Sequence, residues 1–215
     1  GVINIKLKRG QESGTNAKAE LTVGTRYRLN SNLRLSHKSE DFNVYGGYSY
    51  RRWPSVGFSS TERITFMNDE RLEQFNNRER NDNEHTINIG GDLFLGKNKF
   101  SYEGAFNMEE ESDFENNQTQ IFNRLNDNIL QQYNRRNRET EDNYSLDNAL
   151  IYERLFDQEG REFRAVASHS FRDQLENQRI NVFNGTINPV SENPNGRERA
   201  ENDEFRQTSI LQADY

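Results

Sequence analysis

A regular alternation of apolar and polar residues is the feature that most constrains this chain. From position 27 to 36 the odd positions carry mostly apolar side chains and the even positions carry polar ones. A period of two is typical of a β-strand whose two faces meet different surroundings. The pattern returns at 42–51, 87–95 and 100–109, and the last two runs are joined by the turn residues Gly96-Lys97-Asn98. The sequence therefore predicts an all-β fold, an antiparallel meander.

Eight strands are predicted, near 17–24, 27–37, 42–52, 84–95, 99–110, 142–156, 161–173 and 204–215. Most are longer than the usual five or six residues and match the roughly 9–11 residues with which a tilted strand crosses a membrane. Short connections at 38–41, 96–98 and 157–160 alternate with long polar ones at about 53–83, 111–141 and 174–203. In a meander all the long connections leave from one end, as in outer-membrane barrels. Two stretches within them, LEQFNNRER and IFNRLNDNILQQY, are candidates for short helices.

Composition separates this chain from disordered proteins. Hydrophobic residues are only 31% and charged residues 29%, but aromatics reach 11% and there are only 3 prolines. Many aromatics lie near predicted strand ends, which suggests interfacial girdles. Asn148, Gln207 and Ser209 interrupt the apolar faces and are expected to lie beyond the bilayer on the long-loop side. The net charge of -7 argues against a nucleic-acid partner, and the absence of cysteine excludes disulfides and thiolate metal sites.

No residue pattern predicts catalysis, a metal or a cofactor, so the chain is not expected to be an enzyme. The three histidines have no ligand spacing. Acidic runs such as 109–111 match no EF-hand and are interpreted as solvated carboxylates. The one candidate binding cluster is Arg51-Arg52-Trp53, which could contact an anionic or sugar-like ligand at a barrel mouth. The simpler interpretation is an interfacial Trp with snorkelling arginines.

A family resemblance rests on the first 52 residues. The opening Gly1-Val2-Ile3-Asn4-Ile5 and the basic tail Lys6, Lys8 and Arg9 resemble the last plug strand of TonB-dependent outer-membrane receptors. The following AELTVGTRYRLNSNLRLSHKSEDFNVYGGYSYRR resembles the opening strands of their barrel, with the closest likeness to the SusC-like, Bacteroidetes-type branch. The resemblance implies that 1–10 are the last plug strand, 11–16 a linker and 17–215 the N-terminal portion of a transmembrane barrel of about 22 strands. The long connections would then be extracellular loops.

The function implied is TonB-dependent uptake of a nutrient, such as a siderophore, glycan or peptide, across the bacterial outer membrane. The partners implied are outer-membrane lipid, a TonB-type energising complex that acts through a plug segment missing here, the unknown nutrient, and in some relatives a lid lipoprotein. The chain is expected to be a fragment of a larger protein. Two alternatives stay open: a closed eight-stranded outer-membrane barrel with an adhesive or structural role, and a soluble β-sheet binding domain.

Overall fold

A single antiparallel sheet forms the whole described structure. The computed structural model describes residues 13–158, 160–187, 189 and 193–215. Nine strands follow one another along the chain: β1 Gly14–Val23, β2 Leu29–Lys38, β3 Phe42–Arg52, β4 Ser55–Thr65, β5 Glu70–Leu95, β6 Asn98–Asn123, β7 Ile129–Leu155, β8 Glu162–Asn184 and β9 Gly196–Asp214. The all-β meander predicted from the sequence is confirmed. The predicted plug strand at 1–10 lies outside the described residues, and β1 begins inside the predicted linker 11–16.

Strands β3 and β4 are one strand interrupted by a proline. Both pair with β5, and the register continues unchanged from Arg52 opposite Asn83 to Ser55 opposite Arg80. Between them the Trp53 amide still donates to the Asp82 carbonyl at 2.8 Å. Pro54 has no amide hydrogen, which explains the break in the ladder. The sheet therefore contains eight strands in effect, each beside its neighbours in sequence.

The three long connections are hairpins rather than irregular loops. Strands β4 to β9 run through most of the segments that the alternation left unassigned, and β5, β6 and β7 are each 26 or 27 residues long. Short tips at 66–69 and 124–128 join the strands of the first two segments. The predicted helices are wrong: LEQFNNRER lies within β5, and IFNRLNDNILQQY forms the end of β6, a tip and the start of β7. The described residues contain no helix long and apolar enough to cross a membrane.

Polar contacts between neighbouring strands stabilise these hairpin extensions. Between β5 and β6, Gln74 Nε2 donates to Asn117 Oδ1 at 3.0 Å, and Arg78 Nε donates to Asp113 Oδ2 at 2.6 Å. Arg80 forms an ion pair with Glu111. Cross-strand pairs of this kind each stabilise a sheet by a few tenths to about 1 kcal/mol. The extensions are thus held by the backbone ladder and polar pairs, without an apolar face.

One side of the sheet carries an apolar band of limited height. We call residues directly opposite one another across the strands a row. Five successive rows on one side are mainly apolar, from the row of Phe42 to the row of Tyr50. Aromatic side chains are frequent in these two outermost rows, and the next row beyond Tyr50 is largely polar. The band includes Leu33, Leu35, Phe42, Val44, Tyr48, Tyr50, Ile87, Ile89, Leu93, Phe100, Tyr102, Phe106, Tyr144, Leu146, Leu150, Tyr152, Phe171, Phe205 and Leu211.

Polar residues inside the apolar band are hydrogen-bonded there. Asn148 lies in the central row of the band and accepts a hydrogen bond from the Tyr102 hydroxyl at 2.7 Å. His169 and Ser209 pair at 2.9 Å in the same row. Gln207 lies one row away, opposite Phe171. The prediction that Asn148, Gln207 and Ser209 lie beyond the end of the band is therefore wrong.

The sheet has almost no hydrophobic core and two open edges. Among the described residues, the only buried apolar side chains are Ile180 and Phe183. The accessible surface of 15758 Å² is well above the roughly 10,300 Å² expected for a compact protein of this mass. Within the described residues, β1 and β9 each pair with one strand only and not with each other. Within the described residues, the apolar band is therefore uncovered and the outer edges of β1 and β9 are unpaired.

Candidate ligand-contacting surface

The predicted cluster Arg51-Arg52-Trp53 is divided between the two sides of the sheet. Because consecutive residues of a strand lie on opposite faces, Arg51 and Trp53 share the side opposite the apolar band, which we call the polar face. Arg52 lies on the band side, in the row beyond Tyr50. The structure therefore brings two of the three predicted residues together and separates the third.

Arg28 joins this cluster through space. Its guanidinium carbon lies 4.2 Å from the centre of the Trp53 ring, and its Nε donates to the Pro54 carbonyl at 3.3 Å. A guanidinium stacked on an indole is held in place by a cation–π contact. The sequence does not indicate Arg28, because it is 25 positions from Trp53 and only the register of β2 on β3 brings the two together.

Carboxylates dominate the polar face beside this cluster. The row of Trp53 continues across four strands through Asp82, Glu111, Glu141 and Glu176. On β3 and β5 to β8, the three adjoining rows add five more carboxylates and only three arginines. We call this set the acidic rows: Asp82, Glu84, Glu109, Glu111, Asp113, Glu115, Glu139, Glu141 and Glu176, with Arg51, Arg78 and Arg80.

Amide side chains hold many of these carboxylates without neutralising them. Asn143 Nδ2 donates to Glu141 Oε1 at 2.7 Å, and Gln174 Nε2 donates to the same oxygen at 3.0 Å. Burial raises the pKa of Glu111; the facing charges of Glu141 and Asp82 add to this, and Arg80 opposes it. Arg51 reaches both Glu84, at 2.8 Å, and Asp82, at 3.4 Å. The acidic rows thus keep a net negative charge that is fixed in position.

The acidic rows favour cations by field rather than by coordination. Within the described part of the chain, no three His, Asp or Glu side chains are arranged to hold a metal ion. A concentrated negative potential raises the local concentration of positively charged solutes. The sequence could not show this surface, because its members come from β3 and from β5 to β8 and meet only through the register of these strands.

The sequence matches no protein-family model, and no curated protein matches it.

Proposed function

We propose that this chain is part of a transmembrane β-barrel of the bacterial outer membrane, of the TonB-dependent receptor type, which takes up a nutrient. The observation that carries the membrane assignment is the apolar band, which is confined to nine residues of each central strand, for example 42–50 of β3. The proposed role is binding and translocation without covalent chemistry.

The height of the band supports a bilayer as its covering. Eight steps of about 3.4 Å separate the outermost rows, which gives about 27 Å along a strand. A tilt of about 40° reduces this to about 20 Å, and the size of the flanking side chains brings it near the roughly 25 Å apolar belt of outer-membrane barrels. A soluble sandwich would instead cover this face with a second sheet, and the described residues contain none.

The open edges favour a larger barrel over a closed one of eight strands. A barrel closes when its first and last strands pair, and here β1 and β9 are the two edges of the described sheet. Further strands of the intact protein, to about 22 in all, would pair with these edges. The polar face, with Arg28, Trp53 and the acidic rows, would then line the interior.

Uptake is supported by the resemblance of residues 1–52 to the plug–barrel junction of TonB-dependent receptors; of these residues, 1–12 lie outside the described part of the chain. The energising complex, the lid lipoprotein and the extracellular placement of the hairpin extensions belong to the same proposal. The acidic rows would favour nutrients that carry positive charge.

Fractionation of the source bacterium and the intact mass of the native polypeptide test the membrane assignment. We expect the polypeptide in the outer-membrane fraction, with a mass several times 25.3 kDa. Recovery in the soluble fraction would refute the membrane barrel, and a membrane species near 25.3 kDa would refute the large one.

Gene deletion tests uptake. Growth is measured with siderophore-bound iron, cobalamin, a glycan or a peptide as the limiting nutrient. We expect growth on one of these nutrients to be lost, and the same growth defect when the genes of the energising complex are deleted. Normal growth on all of them would refute transport of these nutrients.

A further inference from the structure

Five arginines gather on the band side of the sheet, beyond the apolar band. Arg138, Arg179 and Arg199 are directly opposite one another on β7, β8 and β9 and form one row. The next row along the same strands carries Arg136 and Arg197 on either side of Asn181. We call these two rows the arginine rows. No other part of the described sheet places three like charges directly opposite one another on this side.

Two carboxylates lie near the arginine rows on this side, Glu79 two strands from Arg138 in the same row and Glu201 two residues from Arg199, and neither is paired with them. Arg138, Arg179, Arg197 and Arg199 are exposed, and none of the five forms an ion pair with a described carboxylate. Arg136 and Arg138 stack on Phe183 and Phe114 at 5.1 and 5.5 Å, which fixes their guanidinium groups. Like charges directly opposite in a sheet are destabilising. The arrangement is therefore suited to an anion supplied from outside.

The distance from the apolar band limits what this anion can be. Arg138 is six residues beyond Tyr144, the outermost band residue of β7. This is about 20 Å along the strand and, at the same tilt of about 40°, about 16 Å above the band. The polar layer of an ordinary phospholipid leaflet is only about 5–8 Å thick. At that lower level β7 and β9 carry the carboxylates Asp142 and Asp203. Ordinary phospholipid phosphates would thus meet acids, not arginines.

We propose that the arginine rows bind the phosphorylated sugar headgroup of an outer-leaflet glycolipid. Such a headgroup extends well beyond the phospholipid level, and guanidinium groups bind phosphate with paired, charge-assisted hydrogen bonds. The acyl chains of the same molecule would lie against the apolar band below. This inference rests on the proposed membrane location.

The test uses the full-length protein purified in detergent and titrated with phosphorylated lipopolysaccharide. Binding is compared with the dephosphorylated lipopolysaccharide, with phosphatidylglycerol and with the lipid-free phosphorylated oligosaccharide. The variant replaces the first row, Arg138→Gln, Arg179→Gln and Arg199→Gln. The matched control is Arg135→Gln, Arg172→Gln and Arg206→Gln, which removes the same charge from the same three strands on the polar face.

We expect selective binding of the phosphorylated lipopolysaccharide, weakened on the order of 100-fold in the row variant and nearly unchanged in the control. Equal weakening in both variants, or none in the row variant, would overturn the proposal. Equal affinity for the dephosphorylated lipid would exclude phosphate recognition, and equal affinity for the lipid-free oligosaccharide would exclude the lipid. A protein found in the outer membrane that fails this test refutes only the inference, whereas a soluble protein refutes the proposed function first.

Discussion

Arginine at the centre of the apolar band gives the sharpest test of what covers it. Ile89 lies in the central row, between Gly46 and Gly104 on the neighbouring strands, and 52% of it is exposed. If this face meets lipid, Ile89→Arg should cost about 2–4 kcal/mol. If it meets water, the change should stay within about 0.5 kcal/mol. The lipid-facing and water-facing interpretations therefore differ by a factor of about 10 to 1,000 in the folding equilibrium.

The measurement is folding of the full-length protein into lipid vesicles over a urea series, read by the gel mobility of unheated samples. Two controls lie on the same strand: Asn88→Arg on the polar face, and Asn81→Arg on the band side, eight residues away and about 27 Å along the strand. We expect both to be nearly neutral. An Ile89→Arg variant no less stable than Asn88→Arg would refute the assignment of lipid to this face.

Three further predictions concern the polar face. Asp82 is 7% exposed, one of its oxygens has no hydrogen-bond partner, and Arg51 is its ion-pair partner. Arg51→Gln should therefore lower the free energy of unfolding by about 1–3 kcal/mol, whereas Arg52→Gln should change it little. Equal effects of the two variants in urea titrations would contradict this. Because the pKa of Glu111 is raised, its contribution to stability is complete below the ordinary value of 4.5 and is lost as the pH rises through the raised pKa. Glu111→Gln should remove this part of the pH dependence of unfolding, and Glu110→Gln should leave it unchanged. A Cβ on Gly90 would lie 2.4 Å from the Tyr45 ring, so Gly90→Ala should cost about 1–3 kcal/mol and Gly57→Ala, which meets nothing within 4 Å, should not; additivity of Gly90→Ala with Tyr45→Ala would argue against the clash.

The sequence predicts the structure wherever the two faces of a strand differ in polarity. Alternation marks 42–51 and 87–95 because one face of each strand lies in the apolar band. The alternation is absent in the extensions, where a strand such as 71–83 has polar residues on both faces and its composition fits a loop or a short helix equally well. There the structure depends on backbone pairing between strands distant in sequence, which a local sequence pattern does not reveal.

The candidate surfaces show the same limit. Arg51 and Trp53 can be placed on one face from their spacing alone, and Arg52 on the other. The acidic rows and the arginine rows cannot, because each combines residues from three or more strands. A change of one residue in the register of β8 would move Arg179 to the polar face and dissolve the row that it forms with Arg138.

Clusters of like charge in the hairpin extensions make opposite predictions for stability and for binding. On β7, Arg136 and Arg138 belong to the arginine rows of the band side, and Glu139 and Glu141 belong to the acidic rows of the polar face. The members of each cluster repel one another, and the sheet separates the two clusters. Salt screens such repulsion over about 8–10 Å at physiological strength. Raising the ionic strength should slow hydrogen exchange of the amides of β7 to β9 beside the arginine rows and, in the same samples, weaken glycolipid binding. Faster exchange of these amides at high salt would mean that attractive pairs dominate around the arginine rows, which would then have no unpaired charge to offer a ligand.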